Sequence, residues 1–321
     1  MATRVLIDVD TGIDDALALL YAIAHPELEV AAVTCVSGNV ELSQVVMNTC
    51  SVLGVAGVSG ISVGPGADAT LRGNGPRTGH QHGANGLGDL SLPSSRGPQA
   101  DVGAVELMRR RLLDAEGPVT IVALAPQTNI AALLRDHLGE VATAIGRLIF
   151  VGGRLVEPEP PEPAEFNVGH DPEAAAIVLD SGLAITMYGL DVFNQVLVSS
   201  AVTDALAEQK HPATRLAGEL LRVRPGRLIG DAGALLALTN PGLFTTERAP
   251  IRIGLNGAER GRTLRDPAAP AIDVVTAVDA VQAALTFANV VRAGPPHSRP
   301  TRPAGNRPRR ERSSDDPGGV G

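Results

Sequence analysis

The sequence has no tryptophan, only two tyrosines and only five phenylalanines among its 321 residues. A core with so few large rings must be built from small aliphatic side chains, which suits a buried parallel sheet flanked by helices. Cysteine is equally scarce, because Cys35 and Cys50 are too few for a disulfide framework or a cysteine-rich metal site. We therefore expect two buried, reduced thiols in an α/β fold.

Lysine is nearly absent, since Lys210 is the only one, and the net charge of the chain is −8. An acidic balance of this kind argues against nucleic acid as a partner. Long apolar runs are missing as well: none approaches the ~20 residues that a membrane-spanning helix needs. The residues after Met1 also lack the apolar core of a signal peptide. These features predict a cytoplasmic protein that contacts neither nucleic acid nor a membrane.

Short β-branched segments alternate with segments of helical periodicity along most of the chain. The predicted strands are residues 4–7, 30–36, 119–124, 147–151 and 184–187. The predicted helices are residues 14–24, 42–55, 129–135 and 172–181. This alternation predicts an α/β fold with an open, mainly parallel central sheet flanked by helices. We expect one α/β domain over residues 1–293 and a disordered Pro/Arg-rich tail over residues 294–321.

Four aspartates lie close together where the first predicted strand passes into the first predicted helix: Asp8, Asp10, Asp14 and Asp15. Carboxylates this close repel one another unless a cation compensates their charge. Oxygen ligands on a flexible loop favour calcium or magnesium. Asp14 or Asp15 could instead only cap the helix, but capping accounts for one or two of the four. The cluster therefore predicts a metal site, where a bound water and a spare carboxylate would form a nucleophile with its base.

Polar segments follow several of the predicted strands. They are residues 8–15, 37–39 and 125–129, and the segment from Gly152 onward. In parallel sheets, ligands bind beyond the carboxyl ends of the strands. We therefore expect these four loops to converge on one crevice.

Residues 5–16, Val-Leu-Ile-Asp-Val-Asp-Thr-Gly-Ile-Asp-Asp-Ala, resemble the signature of the inosine–uridine preferring nucleoside hydrolases. Further segments are similar to that family in the same order. They are Val-Ser-Gly-Asn-Val at 36–40, Ala-Pro-Gln-Thr-Asn-Ile at 125–130, Val-Gly-Gly at 151–153, Ala-Glu-Phe-Asn-Val at 164–168 and Asp-Pro-Glu-Ala-Ala at 171–175. Asp231 falls where the family has its C-terminal metal-binding aspartate. The resemblance covers about residues 4–292 and implies the family's Rossmann-like fold.

The resemblance implies calcium-dependent hydrolysis of the N-glycosidic bond of ribonucleosides, giving ribose and free base for purine or pyrimidine salvage. It implies that calcium is bound by Asp10, Asp15, the carbonyl of Thr128 and Asp231. Asp10 would also be the general base for the water that the metal holds. The substrate would be bound by Asp14, Asn39, Glu165, Asn167 and Asp231, and Asp8 would support the loop. The family resemblance further implies a homodimer or a homotetramer.

The half of the expected site that faces the base departs from the family. Well-studied members have a histidine immediately before the C-terminal aspartate, which can protonate the departing base, whereas this chain has Gly230 there. His82 lies in a segment similar to a histidine-bearing loop near the base, so it is our candidate for the leaving-group acid or a base contact. Arginines could instead line the base pocket. They are Arg222, Arg224 and Arg227.

Two stretches interrupt the strand–helix alternation. Residues 64–97 are rich in glycine and polar residues, carry His80 as well as His82, and are predicted to form a long functional loop. Residues 158–163 are a Pro/Glu-rich insertion. Glu159 in this insertion occupies the position where the family often has an asparagine that contacts the 5′ end of the sugar.

Two other hypotheses compete with nucleoside hydrolysis. The order Asp8-Val-Asp10 also fits the Asp-x-Asp motif of magnesium-dependent aspartyl phosphatases, with Asp8 as the nucleophile and Lys210 and Asp231 in later motifs. This hypothesis leaves the other predicted site residues unexplained. The second alternative is a relative that still binds calcium and ribose but has lost catalysis together with the missing histidine.

Overall fold

The computed structural model describes residues 2–74, 81–95, 99–156, 158 and 162–295. The strands found in them are β1 (Thr3–Val9), β2 (Leu28–Cys35), β3 (Val63–Pro65), β4 (Val119–Ala123), β5 (Ile145–Val151), β6 (Ile185–Tyr188), β7 (Phe244–Ile253), β8 (Thr263–Arg265) and β9 (Ala271–Val278). The α-helices are α1 (Ile13–Ala24), α2 (Leu42–Val55), α3 (Ala104–Leu113), α4 (Thr128–Val141), α5 (Phe166–His170), α6 (Pro172–Leu179), α7 (Leu190–Phe193), α8 (Ser200–Ala207), α9 (Pro212–Val223), α10 (Ala232–Thr239) and α11 (Ala280–Ala293).

These strands form one sheet in the order β3-β2-β1-β4-β5-β6-β9-β7-β8. From β3 through β9 every neighbouring pair is parallel, whereas β7 pairs antiparallel with both β9 and β8. The chain proceeds outward from β1 to β2 and β3, then returns to place β4 on the other side of β1. This reversal makes the carboxyl ends of β1 and β4 a topological switch point, where open α/β sheets bind ligands.

The predicted α/β class and the mainly parallel sheet are confirmed, with helix boundaries that differ in detail. The helix predicted at 129–135 begins at Thr128 and continues to Val141 as α4, and Val141 at its end is buried in the core. The predicted loop 64–97 starts too early, since Gly64 and Pro65 pair with β2 as part of β3. The antiparallel edge β7–β8–β9 was not predicted from the sequence.

Apolar side chains of the sheet alternate between two cores, one on each face. In β1, Val5, Ile7 and Val9 belong to the core that contains α1 and α2, whereas Leu6 belongs to the core that contains α3, α4 and α6. Side chains alternate faces along a strand, so Asp8 points to the same face as Leu6. Its neighbours therefore come from α4 rather than from α1.

Both cysteines are buried free thiols, as the sequence predicts. Among the residues that the structure describes, no helix is both long enough and apolar enough to cross a membrane. Of the predicted tail, only Gly294 and Pro295 lie within the described residues.

Candidate active site

The first turn of α1 is built around Asp15. Its Oδ2 accepts a hydrogen bond from the backbone N–H of Gly12 at 3.0 Å, and its Oδ1 accepts one from the N–H of Asp10 at 3.2 Å. A carboxylate here satisfies free donors at the start of the helix and interacts favourably with the helix dipole. The capping interpretation therefore holds for Asp15, although this fully buried side chain also lies beside Asp10.

Asn39, in the loop after β2, holds both carboxylate oxygens of Asp10. The backbone N–H of Asn39 donates to Asp10 Oδ2 at 2.8 Å, and its side-chain Nδ2 donates to Asp10 Oδ1 at 3.0 Å. The same Nδ2 lies 3.4 Å from Asp15 Oδ2. A Cβ atom on Gly38 would overlap Asp10 Oδ2, so the glycine is what lets this loop approach the carboxylate. The loops after β1 and β2 thus meet as predicted.

Burial and mutual repulsion make Asp10, Asp15 and Asp231 hard to ionise together. Burial, and then the charge of Asp15, raises the pKa of Asp10 well above its usual range. Burial raises the pKa of Asp15 to about 7, and the charge of Asp14 adds to that effect. Burial, followed by the charges of Asp15, Asp14 and Asp10, also raises the pKa of Asp231 well above its usual range. The protein has therefore brought several carboxylates into one low-dielectric region.

The donor set of this region suits a hard cation. Asp231 lies at the start of α10, which packs against α1 and so delivers its carboxylate to the same centre. Within the described ranges, no group of three or more His, Cys, Asp or Glu side chains has an arrangement that could hold a metal ion. Carboxylate oxygens that each accept one hydrogen bond keep a second lone pair, and clustered carboxylates need a compensating cation. The carboxylate oxygens of Asp10, Asp15 and Asp231 are of the ligand type that calcium prefers.

Asp14 lies next to this carboxylate group and forms a buried ion pair with Arg224. The Arg224 Nε and Nη2 atoms donate to Asp14 Oδ1 and Oδ2, each at 2.7 Å. Both side chains are almost fully buried, at 5% exposure for Asp14 and 8% for Arg224. A bidentate pair of this kind fixes the direction of the carboxylate as well as its charge.

Gly230, where the family has its histidine, packs against Asp14. Its φ angle is +55°, and a Cβ atom added there would lie 2.5 Å from Asp14 Cγ. A side chain at this position would therefore displace the Asp14 carboxylate from Arg224. The missing histidine is thus a steric feature of this site and not only a lost proton donor.

His82 lies against the start of α1. Its Nδ1 accepts a hydrogen bond from the backbone N–H of Ile13 at 3.1 Å. An imidazole nitrogen that accepts cannot carry the proton, so the proton of the neutral ring is on Nε2. Burial lowers the pKa of His82, the charge of Asp14 opposes that effect, and the charge of Arg224 adds to it. His82 therefore has its Nε2–H as a hydrogen-bond donor, and its ring lies close to Asp14 and Arg224.

Asp8 supports the site from the face of the sheet that α4 covers. Its Oδ1 accepts hydrogen bonds from Thr34 Oγ1 at 2.5 Å and from Asn129 Nδ2 at 2.9 Å. Burial raises the pKa of Asp8 to about 7, and Oδ2 has no hydrogen-bond partner among the described residues. Asn129 also donates to the carbonyl of Cys35 at 2.9 Å, so one side chain ties β1 and β2 to α4. An enclosed Asp8 is poorly placed to attack a phosphoryl group, which argues against the phosphatase hypothesis.

The loops after β4 and β5 join the crevice through Glu165 and Asn167. Glu165 caps α5: its Oε1 accepts from the N–H of Asn167, and its Oε2 accepts from Val168 at 3.0 Å and Gly153 at 2.9 Å. Asn167 Nδ2 donates to the carbonyls of Leu124 at 2.8 Å and of Val151 at 3.1 Å. With Glu165 and Asn167 in place, all four predicted loops meet at the carboxyl edge of the sheet.

Thr128 begins α4, next to Asn129. Its hydroxyl donates to Asp171 Oδ2 at 2.8 Å, and Asp171 also accepts from the N–H of Leu71 at 2.8 Å and caps α6. Thr128 is thereby anchored beside the site through its side chain. The assignment of its carbonyl as a metal ligand stays a prediction.

The three arginines proposed for the base pocket have different surroundings. Arg222 is exposed and pairs with exposed Asp204 at 2.8 Å, and Arg227 Nε donates to the carbonyl of Val198 at 3.0 Å. Only Arg224 of these three reaches the acidic centre. The predictions for His80 and Glu159 lie outside the described residues.

The sequence pattern did not reveal the role of Asn129, which lies in the polar segment after β4. An asparagine at the start of a helix is usually explained by local turns or capping, and that pattern does not reveal a partner 121 positions away. It also missed the pairing of Arg224 with Asp14 across 210 positions. Both contacts depend on how α4 and α9 pack against the rest of the fold. The spacing of residues within a short segment does not predict that packing.

Comparison with known proteins agrees with this geometry. The family described as inosine-uridine preferring nucleoside hydrolase matches residues 5–284 of the chain. Uridine nucleosidase 1 of Arabidopsis thaliana is 33% identical over 276 residues, which cover 82% of each chain. The pyrimidine-specific ribonucleoside hydrolase RihA of Escherichia coli is 34% identical over 278 residues, covering 83% of this chain and 89% of the relative.

Solved structures lead to the same family. A purine-preferring ribonucleoside hydrolase from Gardnerella vaginalis superposes with a TM-score of 0.82 at 27% identity, covering 90% of this chain and 98% of its own. A plant nucleoside hydrolase, the PpNRh1 enzyme, gives a TM-score of 0.83 at 27% identity over 91% of this chain and 99% of its own. The chain therefore belongs to the inosine-uridine preferring nucleoside hydrolase family and is a hydrolase of N-glycosyl compounds.

Proposed function

We propose that the chain hydrolyses ribonucleosides to ribose and free base in a calcium-dependent reaction, with Asp10 as the general base. The observation that carries the proposal is the geometry of Asp10 at the switch point of the sheet. Asn39 orients both of its oxygens, and Asp15 lies beside it. A buried carboxylate whose proton affinity is raised by a like charge is a stronger base than a free one.

Asp10, Asp15, the carbonyl of Thr128 and Asp231 would hold the calcium. When bound, the ion would offset the repulsion among these carboxylates and lower the pKa of a coordinated water. Asp10 would accept the proton of the attacking water at a carboxylate oxygen. Water and base flank a sugar that carries positive charge in the transition state, and the surrounding carboxylates stabilise that charge.

The ribose would be bound by side chains that still have acceptor capacity. Asp14 uses one lone pair on each oxygen for Arg224, which leaves others for sugar hydroxyls. Asn167 spends its amide donors on two carbonyls, so its own oxygen remains an acceptor. Asn39, Glu165 and Asp231 complete the set that the resemblance implies.

We expect a pyrimidine ribonucleoside to be the preferred substrate, on the names of the two curated relatives. The two curated relatives at 33% and 34% identity are named for uridine and for pyrimidines, whereas the Gardnerella structure, at 27%, is named for purines. We therefore expect uridine to be cleaved faster than inosine. Cytoplasmic location and assembly into a homodimer or homotetramer stay predictions, the second of which light scattering of the purified chain would check.

The experiment is release of reducing sugar from uridine, cytidine, inosine, adenosine and p-nitrophenyl riboside, first with calcium and then with a chelator. We expect calcium-dependent release from p-nitrophenyl riboside and from at least one natural nucleoside, with activity restored when calcium is returned. Release that persists after chelation would contradict the calcium assignment. A folded protein that binds calcium and ribose but cleaves no riboside would support the binding-only alternative.

A further inference from the structure

Arg224 is the one arginine that is buried among the residues that the structure describes. It follows the last turn of α9, where its backbone N–H still bonds to the carbonyl of Leu220 at 3.0 Å. Because α9 packs against α1, the side chain reaches Asp14 in the first turn of α1. A buried charge is retained where it is paired, and here the partner belongs to the predicted sugar-binding set.

Among the described residues beside Arg224 and Asp14, neither Gly230 nor His82 can readily donate a proton. Gly230 has no side chain, and the space where a Cβ atom would lie is taken by the Asp14 carboxylate. His82 accepts the N–H of Ile13 through Nδ1, so its ring is neutral, and a neutral imidazole is a hydrogen-bond donor but a very weak acid. A guanidinium does not give up its proton in proteins either. It does carry a permanent positive charge.

We propose that Arg224 stabilises the departing base as an anion, in place of a residue that protonates it. This inference rests on the proposed function and specifies the leaving-group side of the same site. The C1′–N bond breaks with its electron pair on the base, and the water oxygen bonds to C1′. Asp10 takes the proton of the water, and the released base anion takes a proton from solvent.

The guanidinium has the donors that this role requires. Of its five N–H groups, the contacts with Asp14 use one on Nε and one on Nη2. No further hydrogen bond of this guanidinium occurs within the part of the chain that the structure describes, so we infer that the three others can serve oxygen or nitrogen atoms of a departing group. The Asp14 pair also fixes the plane of the guanidinium, and donors oriented in advance are the kind that stabilise developing charge most effectively.

The proposal predicts a preference for ribosides whose leaving group can depart without a proton. Uracil fits this class, because its ring carbonyls take up negative charge. Aryl ribosides with graded phenol acidity form a second, chemically uniform series of the same class. The wild-type rate on that series should depend only weakly on leaving-group acidity, because Arg224 stabilises the poorer anions.

The test compares Arg224→Gln with the wild type on this aryl series and on uridine, in calcium. We expect kcat/KM to fall about 10²–10³-fold for uridine and the least acidic phenols, as when one preorganised donor is removed. The loss for p-nitrophenyl riboside should stay below about 10-fold, because that anion needs little stabilisation. The dependence on leaving-group acidity should therefore become steeper. Arg215→Gln, at an exposed position on the preceding helix α9, is the matched control and should leave every rate unchanged.

Arg224→Lys keeps the positive charge but loses the planar fork, so it should recover part of the rate on poor leaving groups. It also carries the test if Arg224→Gln does not fold, as judged by its circular dichroism. Equal losses on all leaving groups would mean that Arg224 only holds Asp14, and would overturn the proposal. Unchanged rates would do the same. A wild type that cleaves neither p-nitrophenyl riboside nor any nucleoside would instead refute the proposed function itself.

Discussion

The carboxylate side of the site and its leaving-group side are built from different kinds of contact. On the carboxylate side, Asp10, Asp15 and Asn39 are held mainly by backbone N–H groups and by each other within two neighbouring loops. On the leaving-group side, His82 and Arg224 come from distant parts of the chain and meet at Asp14 and the start of α1. Contacts within and between two neighbouring loops thus position Asp10, Asp15 and Asn39, which we propose to bind metal and sugar. Packing between distant elements positions His82 and Arg224, which we propose to lie on the side of the base, where the sequence departs from the family.

The largest effect is expected from Asp10→Asn, which acts on the carboxylate side alone. Loss of a general base should lower kcat about 10²–10⁴-fold, and the loss should be similar for uridine and for p-nitrophenyl riboside. Asp204→Asn, an exposed carboxylate paired with Arg222, is the control and should keep full activity. Steady-state kinetics at saturating calcium measure both. A loss confined to poor leaving groups would contradict the division of the site into two halves.

A smaller effect, on stability, is expected from Gly230→Ala on the leaving-group side. The left-handed φ of +55° and the approach of the new Cβ to Asp14 Cγ should together destabilise the fold by about 2–4 kcal/mol. Denaturant unfolding measures the change. Gly242→Ala, where a Cβ atom would meet nothing within 4 Å, is the control.

Gly230→His sharpens the same comparison. Restoring the family's histidine should not raise activity, because its Cβ would displace Asp14 before the imidazole could reach a base. A variant with intact stability and a higher kcat on uridine would show that the site has room for an acid after all.

The smallest effect is a pH-dependent one at Asp8, beneath the carboxylate side. Its folded-state pKa of about 7 lies above the ~4 of an unfolded aspartate, so the folded protein binds this proton more tightly. The stabilisation is complete below about pH 4 and is lost as pH rises through about 7. Asp8→Asn cannot ionise, so relative to the wild type it should gain about 1–3 kcal/mol between pH 4 and pH 8.

Urea unfolding of both proteins in chelator, across that pH range, measures the gain from Asp8→Asn. Asp136→Asn is the matched control, since this exposed aspartate pairs with Arg135 and its pKa is lowered rather than raised. A difference between wild type and Asp8→Asn that does not change with pH would contradict the inferred proton affinity of Asp8.

The sequence by itself determined the α/β class, most strand and helix positions along β1 to β6, and the acidic run after β1. These features are local: side-chain periodicity reports which face is buried, and strand–helix alternation implies parallel pairing. The placement of the loops that carry Asp10, Asn39, Glu165 and Asn167 at one edge of the sheet also followed, because loops at the carboxyl ends of parallel strands share that edge.

Only the tertiary structure decided which of the three arginines reaches the site and why position 230 does not accommodate a side chain. The sequence does not distinguish among three arginines that lie within six positions, Arg222, Arg224 and Arg227. In the structure, Arg224 is the one of these three that contacts Asp14. The antiparallel edge β7–β8–β9 was decided in the same way, by pairings between segments whose local patterns did not predict them. The physical reason is common to both. A side chain's partner across the molecule depends on the angle and depth at which helices and strands pack, and these are properties of the folded whole rather than of any short stretch of sequence.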